Sequence, residues 1–243
     1  MKIISVCNHK GGVGKTTTVA NISALLAEKF KVLMVDLDPQ AGLTACFKIA
    51  VNDENNIYNA LHKNTLHGSI IKTEIENLYI VPSILDLAGA EAELLGEIGF
   101  ERKVKFLLQQ LNNFDFVVID SPPSLGVLTI NAIVAADMVI IPLQCEFLAM
   151  RALPQIVKII EKAKIVNDKV QFRVLFTMYN KRTLHSNEVV EETKKFFPAF
   201  NTIVTKTIKF SYSVVAGMPL VKTYSDAEQT LQFRNLVKEI LQL

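Results

Sequence analysis

Nine residues near the amino terminus, Lys10-Gly11-Gly12-Val13-Gly14-Lys15-Thr16-Thr17-Thr18, limit what this chain can fold into more than any other stretch. They follow the apolar run 3–7 and precede a helical pattern over 19–30. A strand, a glycine-rich turn and a helix in that order form the setting of a phosphate-binding loop. The main chain of Gly11, Gly12, Val13 and Gly14 can turn its N–H groups around phosphate oxygens, and the helix start at Lys15, Thr16 and Thr17 adds its positive dipole end. Lys15 then neutralises the β- and γ-phosphates, and the Thr16 hydroxyl is placed to ligate Mg²⁺.

The loop departs from G-x-x-x-x-G-K-[ST] at one point: His9 stands where the first glycine belongs, with Lys10 beside it. An isolated Lys10 would read as a solvated loop lysine. Inside a glycine-rich turn of this spacing after a strand, that reading is disfavoured.

Two later strands end in carboxylates. Residues 31–36 are continuously apolar up to Asp36, and Asp36-Leu37-Asp38-Pro39-Gln40 follows. Residues 114–120 (F-D-F-V-V-I-D) end in Asp120 and lead into Ser121-Pro122-Pro123-Ser124-Leu125-Gly126. Ligands of open α/β sheets bind beyond the carboxyl ends of the strands, so Asp36, Asp38 and Asp120 belong near the phosphates. Asp120 has the form of a Walker B aspartate that holds Mg²⁺ through water. Asp-Pro is also good turn chemistry, and both readings of Asp38 are compatible.

The remainder alternates strands and helices. Strands are expected at 78–82, 137–142, 170–178 and 201–210, and helices at 57–62, 86–95, 101–111, 147–166, 187–197 and 226–243. The last helix should pack through Leu231, Leu236, Val237 and Ile240. At 243 residues this is one α/β domain spanning 1–243, with a three-layer, mostly parallel twisted sheet flanked by helices. No apolar run reaches the roughly 18–20 residues of a membrane span, and the first residues enter a strand without a signal-peptide pattern, so a cytoplasmic protein is expected. Cys7, Cys46 and Cys145 are far apart, which suggests buried thiols and no disulfide framework or zinc site. His62 and His67 read as surface residues. Net charge is +2, yet residues 1–143 carry 11 Lys+Arg against 15 Asp+Glu and residues 144–243 carry 15 against 9. A polyanion would meet the second half.

The loop x-K-G-G-V-G-K-T-T, the D-x-D-P-Q segment, the strand ending in Asp120, the D-S-P-P-S-L-G run and 141–146 (I-P-L-Q-C-E) together resemble the ParA branch of the ParA/MinD ATPases, a deviant P-loop NTPase group, over essentially the whole chain. The resemblance implies ATP and Mg²⁺ as cofactors, Lys10 and Lys15 on the phosphates, Asp38 positioning the attacking water, and Thr16, Asp36 and Asp120 around the metal. It places the adenine near Met178 and Asn180 and near Thr205 and Thr207, where the family's Pro-Arg-x-Asn-like segment is replaced by Thr205-Lys206-Thr207. It further implies an ATP-dependent homodimer in which Lys10 reaches the other subunit's nucleotide, and DNA bound without sequence preference through Lys181, Arg182, Lys206 and Lys209. A ParB-like partner would stimulate hydrolysis, and the protein would associate with the nucleoid. No N-terminal helix-turn-helix extension is expected, because the strand begins at residue 2. A MinD-like positioning ATPase is the alternative; it requires an amphipathic membrane helix beyond the domain, whereas 233–243 is needed for the fold. An iron–sulfur scaffold lacks paired cysteines, and a tyrosine kinase lacks a tyrosine-rich tail.

Overall fold

The computed structural model describes residues 1–181 and 183–243. Its strands are β1 (Lys2–Val6), β2 (Val32–Asp36), β3 (Ile71–Lys72), β4 (Leu78–Val81), β5 (Phe116–Asp120), β6 (Met138–Gln144), β7 (Gln171–Tyr179) and β8 (Ala199–Thr205). Its helices are α1 (Lys15–Leu26), α2 (Gly42–Cys46), α3 (Ile57–Lys63), α4 (Leu87–Leu94), α5 (Lys103–Gln109), α6 (Val127–Ala135), α7 (Phe147–Ala163), α8 (Leu184–Phe196), α9 (Lys209–Ala216), α10 (Leu220–Thr223) and α11 (Glu228–Leu241). The strands form one sheet in the order β3-β4-β2-β5-β1-β6-β7-β8, parallel throughout except for the short edge strand β3.

Central strands that are apolar at every position belong in a sheet covered on both faces. Their side chains divide by twos. Ile3, Leu33, Val35, Val117 and Ile119 join the core beneath α3 to α8, while Ile4, Val6, Val32, Met34 and Val118 join the core beneath α1 and α11. The sheet is thus the middle of three layers. Because β1 lies between β5 and β6, the chain order reverses at its carboxyl end, and the glycine loop emerges at that switch point. Register sets Val6 and Asp36 level with Asp120 on either side of β5.

Helix α1 is buried almost all round, with Val19, Ala20, Ile22, Ala24 and Leu26 in the core. Its polar Asn21 is satisfied: Nδ2 donates to the Thr17 carbonyl at 2.8 Å, and Oδ1 accepts from the Val221 N–H at 3.0 Å. Helix α11 closes this layer through Phe233, Leu236, Val237 and Ile240.

Several expectations need correction. The strand expected over 201–210 ends at Thr205, where β7 also runs out: the Lys206 N–H bonds to the Tyr179 carbonyl, after which Thr207 Oγ1 accepts the Lys209 N–H and α9 begins. Lys209 therefore lies on a helix, and the alternation of Ile208 and Phe210 misleads. Leu231 is 60% exposed, because the buried face of α11 follows Thr230, Phe233, Leu236, Val237 and Ile240 and Leu231 lies one step out of phase. Helix α8 starts at Leu184, three residues before the expected 187, behind an extended Thr183. Among the described residues no helix is long and apolar enough to cross a membrane.

Candidate nucleotide site

The loop is held from several directions. Asn8 Nδ2 donates to the Pro142 carbonyl at 2.7 Å, Asn8 Oδ1 accepts the Lys10 N–H at 3.1 Å, and Thr177 Oγ1 donates to the Val13 carbonyl at 2.9 Å. Gly12 (φ 71°) and Gly14 (φ 92°) take left-handed conformations that side chains with a Cβ rarely adopt. Gly14 also caps α1, with no side-chain cap and no acidic residue in the first turn, so the amino-terminal N–H groups remain available to an anion. A cavity of about 260 Å³ opens there, lined by the glycines with Lys15, Thr16, Asp38 and Pro123.

Lys15 is buried, its Nζ 3.4 Å from the Lys10 carbonyl, and burial lowers its pKa against the opposing pull of Asp120. Thr16 Oγ1 donates to Asp120 Oδ2 at 2.7 Å, while Asp120 Oδ1 is buried without a hydrogen-bond partner among the described residues. Burial, and then the charge of Asp36, push the Asp120 carboxyl well above the ordinary carboxylate range. A buried, under-bonded carboxylate beside a threonine hydroxyl fits a hard divalent cation, which takes oxygen ligands and their waters.

Asp36 is differently placed. Its Oδ2 accepts from Thr44 Oγ1 at 2.7 Å and from the Thr44 N–H at 2.9 Å, and its Oδ1 accepts from the Asp38 N–H at 3.2 Å. Thr44 Oγ1 in turn accepts the Ser83 N–H at 2.9 Å. Burial raises the Asp36 pKa to about 6 despite these bonds. Both of its oxygens are engaged in tying the Asp38 turn to α2 and to the segment after β4. Asp38 makes the anticipated turn: Oδ1 accepts the Gln40 N–H at 2.9 Å, and its carbonyl accepts the Ala41 N–H at 2.8 Å. It remains half-buried on the cavity wall.

A second cavity of about 230 Å³ continues from the first through Gly14, Thr17 and Met178, and its walls include Thr205, Thr207, Phe210 and Ser211. Met178 itself has a left-handed φ of 52°. Thr205 faces inward but is claimed by α11, with its N–H donating to Gln232 Oε1 at 2.9 Å and its hydroxyl accepting from Gln229 Nε2 at 2.7 Å. Asn180 lies past the end of β7, where its carbonyl accepts the Thr183 N–H at 3.2 Å. Phe210 and Ser211 reach this wall because α9 starts at Lys209, whereas the alternation over 201–210 predicts a strand. The one available cue was helical spacing beyond Lys209.

The candidate polyanion contacts do not form one uniform patch. Lys206 is exposed, Lys181 pairs with Glu228, and Lys209 is half-buried with its Nζ 5.4 Å from the centre of the Tyr224 ring. Arg182 lies outside the described residues. Cys7 and Cys145 are buried and Cys46 half-buried, and His62 pairs with Glu93 at 3.0 Å. No cluster among the described residues could hold a metal through three or more His, Cys, Asp or Glu side chains.

A three-layer parallel sheet with a glycine loop at its switch point and carboxylates on the flanking strand ends defines a P-loop nucleotide-binding protein. Residues 1–172 match the family model described as an AAA domain. The chain is 39% identical over 248 residues to the sporulation initiation inhibitor protein Soj of Bacillus subtilis, covering 98% of each. It is 34% identical to the chromosome-partitioning ATPase Soj of Treponema pallidum over 99% of this chain and 97% of that protein. Among solved structures, a Mycobacterium smegmatis protein titled cobyrinic acid a,c-diamide synthase, with bound ADP and magnesium, superposes with a TM-score of 0.86 at 34% identity, over 99% of this chain and 94% of that one. A putative plasmid partition protein of Borrelia burgdorferi bound to AMPPNP gives 0.86 at 26% identity, over 99% and 98%. The chain belongs to the Soj/ParA family of partitioning ATPases.

Proposed function

We propose that this protein is an ATP-dependent DNA-segregation ATPase that works as a nucleotide-bridged homodimer. The observation that carries this reading is the position of Lys10. Its side chain is partly exposed at the mouth of the loop and bonded to Glu146 at 3.0 Å, and it does not line the cavity that Lys15 lines. A second cation presented outward beside a phosphate cradle suits a triphosphate held between two copies.

In this account the glycine loop and Lys15 hold the β- and γ-phosphates, the continuing cavity by Met178, Phe210 and Ser211 takes the adenosine, and Thr16 and Asp120 hold Mg²⁺. Bound magnesium would supply charge neutralisation as the γ-phosphoryl group leaves. Asp38, on the cavity wall, orients the attacking water. Asp36, anchored by Thr44, keeps Asp38 in place by accepting its N–H. Hydrolysis is slow until a ParB-like partner completes the site.

ATP favours whichever state gains its contacts, so dimerisation and affinity for DNA follow the nucleotide. Lysines and arginines that meet phosphates position a protein without reading sequence, which suits Lys181, Arg182, Lys206 and Lys209 to non-specific DNA. The protein would work in the cytoplasm, on the nucleoid. The test is DNA binding with ATP, ADP and no nucleotide across a salt series. Binding should require ATP and fall linearly in a log–log plot against salt. Equal binding in all three nucleotide states would refute the coupling.

A further inference from the structure

Three side chains from two distant segments close a ring at the loop's mouth. Lys10 Nζ donates to Glu146 Oε2 at 3.0 Å and to Gln144 Oε1 at 3.4 Å, and Gln144 Nε2 donates to Glu146 Oε1 at 2.7 Å. Gln144 ends β6 and Glu146 precedes α7 in an extended conformation (φ −132°, ψ 143°). Glu146 gives α7 no side-chain cap bond, so its carboxylate is directed to Lys10 and Gln144. The main chain of Lys10 is tied as well: its N–H meets Asn8 Oδ1 at 3.1 Å, and its carbonyl lies 3.4 Å from Lys15 Nζ. Both lysines of the loop are therefore engaged within their own chain.

We propose that Glu146, braced by Gln144, is a positioning residue that holds Lys10 on its own subunit while the loop is empty, and that two subunits join only as Lys10 exchanges this carboxylate for the partner's nucleotide. The idea rests on the dimer reading above and adds to it a device that sets when the dimer forms. The pair is partly exposed, 38% and 48% for the two side chains, so its strength is that of a surface ion pair. Such a contact shifts an equilibrium by about two- to five-fold at low salt and is screened at high salt. That is weak enough for a triphosphate to overcome.

Two measurements on the full chain test the proposal. In the first, the nucleotide-free protein is acylated with a lysine-reactive ester and Lys10 modification is read by peptide mass spectrometry. Glu146→Gln should raise the Lys10 rate about two- to five-fold over other lysines, Gln144→Ala should raise it less, and Glu146→Asp should restore slow labelling. An unchanged Lys10 rate in Glu146→Gln, with a wild-type melting curve, overturns the hold. In the second, the dimer dissociation constant is measured with Mg²⁺ and a non-hydrolysable ATP analogue. Glu146→Gln should tighten the dimer by about two- to five-fold at low salt, with the gain vanishing at high salt. A dimer left unchanged or weakened by Glu146→Gln overturns the exchange. If the wild type stays single with the analogue, the dimer reading fails and the exchange fails with it, while the labelling still decides whether Glu146 holds Lys10.

Discussion

On the phosphate side of the cleft, the working groups come from the ends of β1, β2 and β5 and from the turn into α1, where each is fixed by backbone register and short-range bonds. On the base side, they come from the end of β7, the turn after β8 and the first residues of α9, and their places depend on contacts with α11. Asp36 and Asp120 are level because β2 and β5 pair in register, whereas β7 and β8 pair with register shifts. In the proposed binding mode the phosphate side would meet a group with one shape and a high charge, which main-chain N–H groups and a few fixed side chains can hold. The base side would surround a flat, largely apolar group, and many side-chain combinations can do that. This contrast predicts a graded response to substitution across the cleft.

The largest loss should follow Lys15→Ala, which removes the buried cation from the phosphate cradle. ATP affinity should fall about 100-fold or more by calorimetry, with the folded state intact. Asp38→Ala comes next. Hydrolysis should fall by about 10²–10⁴ while ATP-dependent dimers persist and hold DNA, measured as phosphate release beside light scattering. Dimer loss at saturating ATP would show that Asp38 holds the fold of the turn and does not act on water. Replacing Lys206 and Lys209 together by alanine should lower DNA affinity about ten-fold at low salt and reduce the salt slope by about 2. Phe210→Ala on the base side should weaken ATP and ADP alike by only about 3- to 10-fold, since it leaves the phosphate grip in place. Unequal losses for ATP and ADP would place Phe210 in communication with the γ-phosphate.

The unlike demands on the two carboxylates give a smaller effect in stability. Burial raises the Asp36 pKa to about 6 and lifts Asp120 as well, so between the ordinary carboxylate range and about pH 6 the folded, metal-free chain binds more protons than the unfolded one. Stability contributed by this pair therefore falls as pH rises through that window. In chelator and without nucleotide, Asp120→Asn should melt a few degrees above the wild type at pH 7.5, and the gap should narrow at pH 5. A gap that widens toward pH 5 would contradict the assignment.

The same contrast explains what the sequence disclosed. Gly12, Gly14, Lys15, Thr16, Asp38 and Asp120 lie in short segments whose spacing carries their geometry, so the loop, the three strand ends and the layered α/β fold were legible. The ring around Lys10 was not, because it forms only where β6 lies beside β1, bringing Gln144 and Glu146 to the loop across 134 and 136 residues of chain. Residues 201–210 misled because a strand and a helix start share the same alternating apolar residues over a few positions, and the end of the partner strand β7 decides between them. Leu231 failed for a related reason: one residue of phase separates a buried from an exposed position on α11.

In the proposed dimer a triphosphate is shared between two copies through Lys10. The most direct test of this sharing is the mass of the chain in solution by light scattering, with Mg²⁺ and either a non-hydrolysable ATP analogue or ADP. The analogue should double the mass, ADP should leave it single, and Lys10→Ala should stay single even with analogue bound. A wild-type chain that remains single at saturating analogue would contradict it.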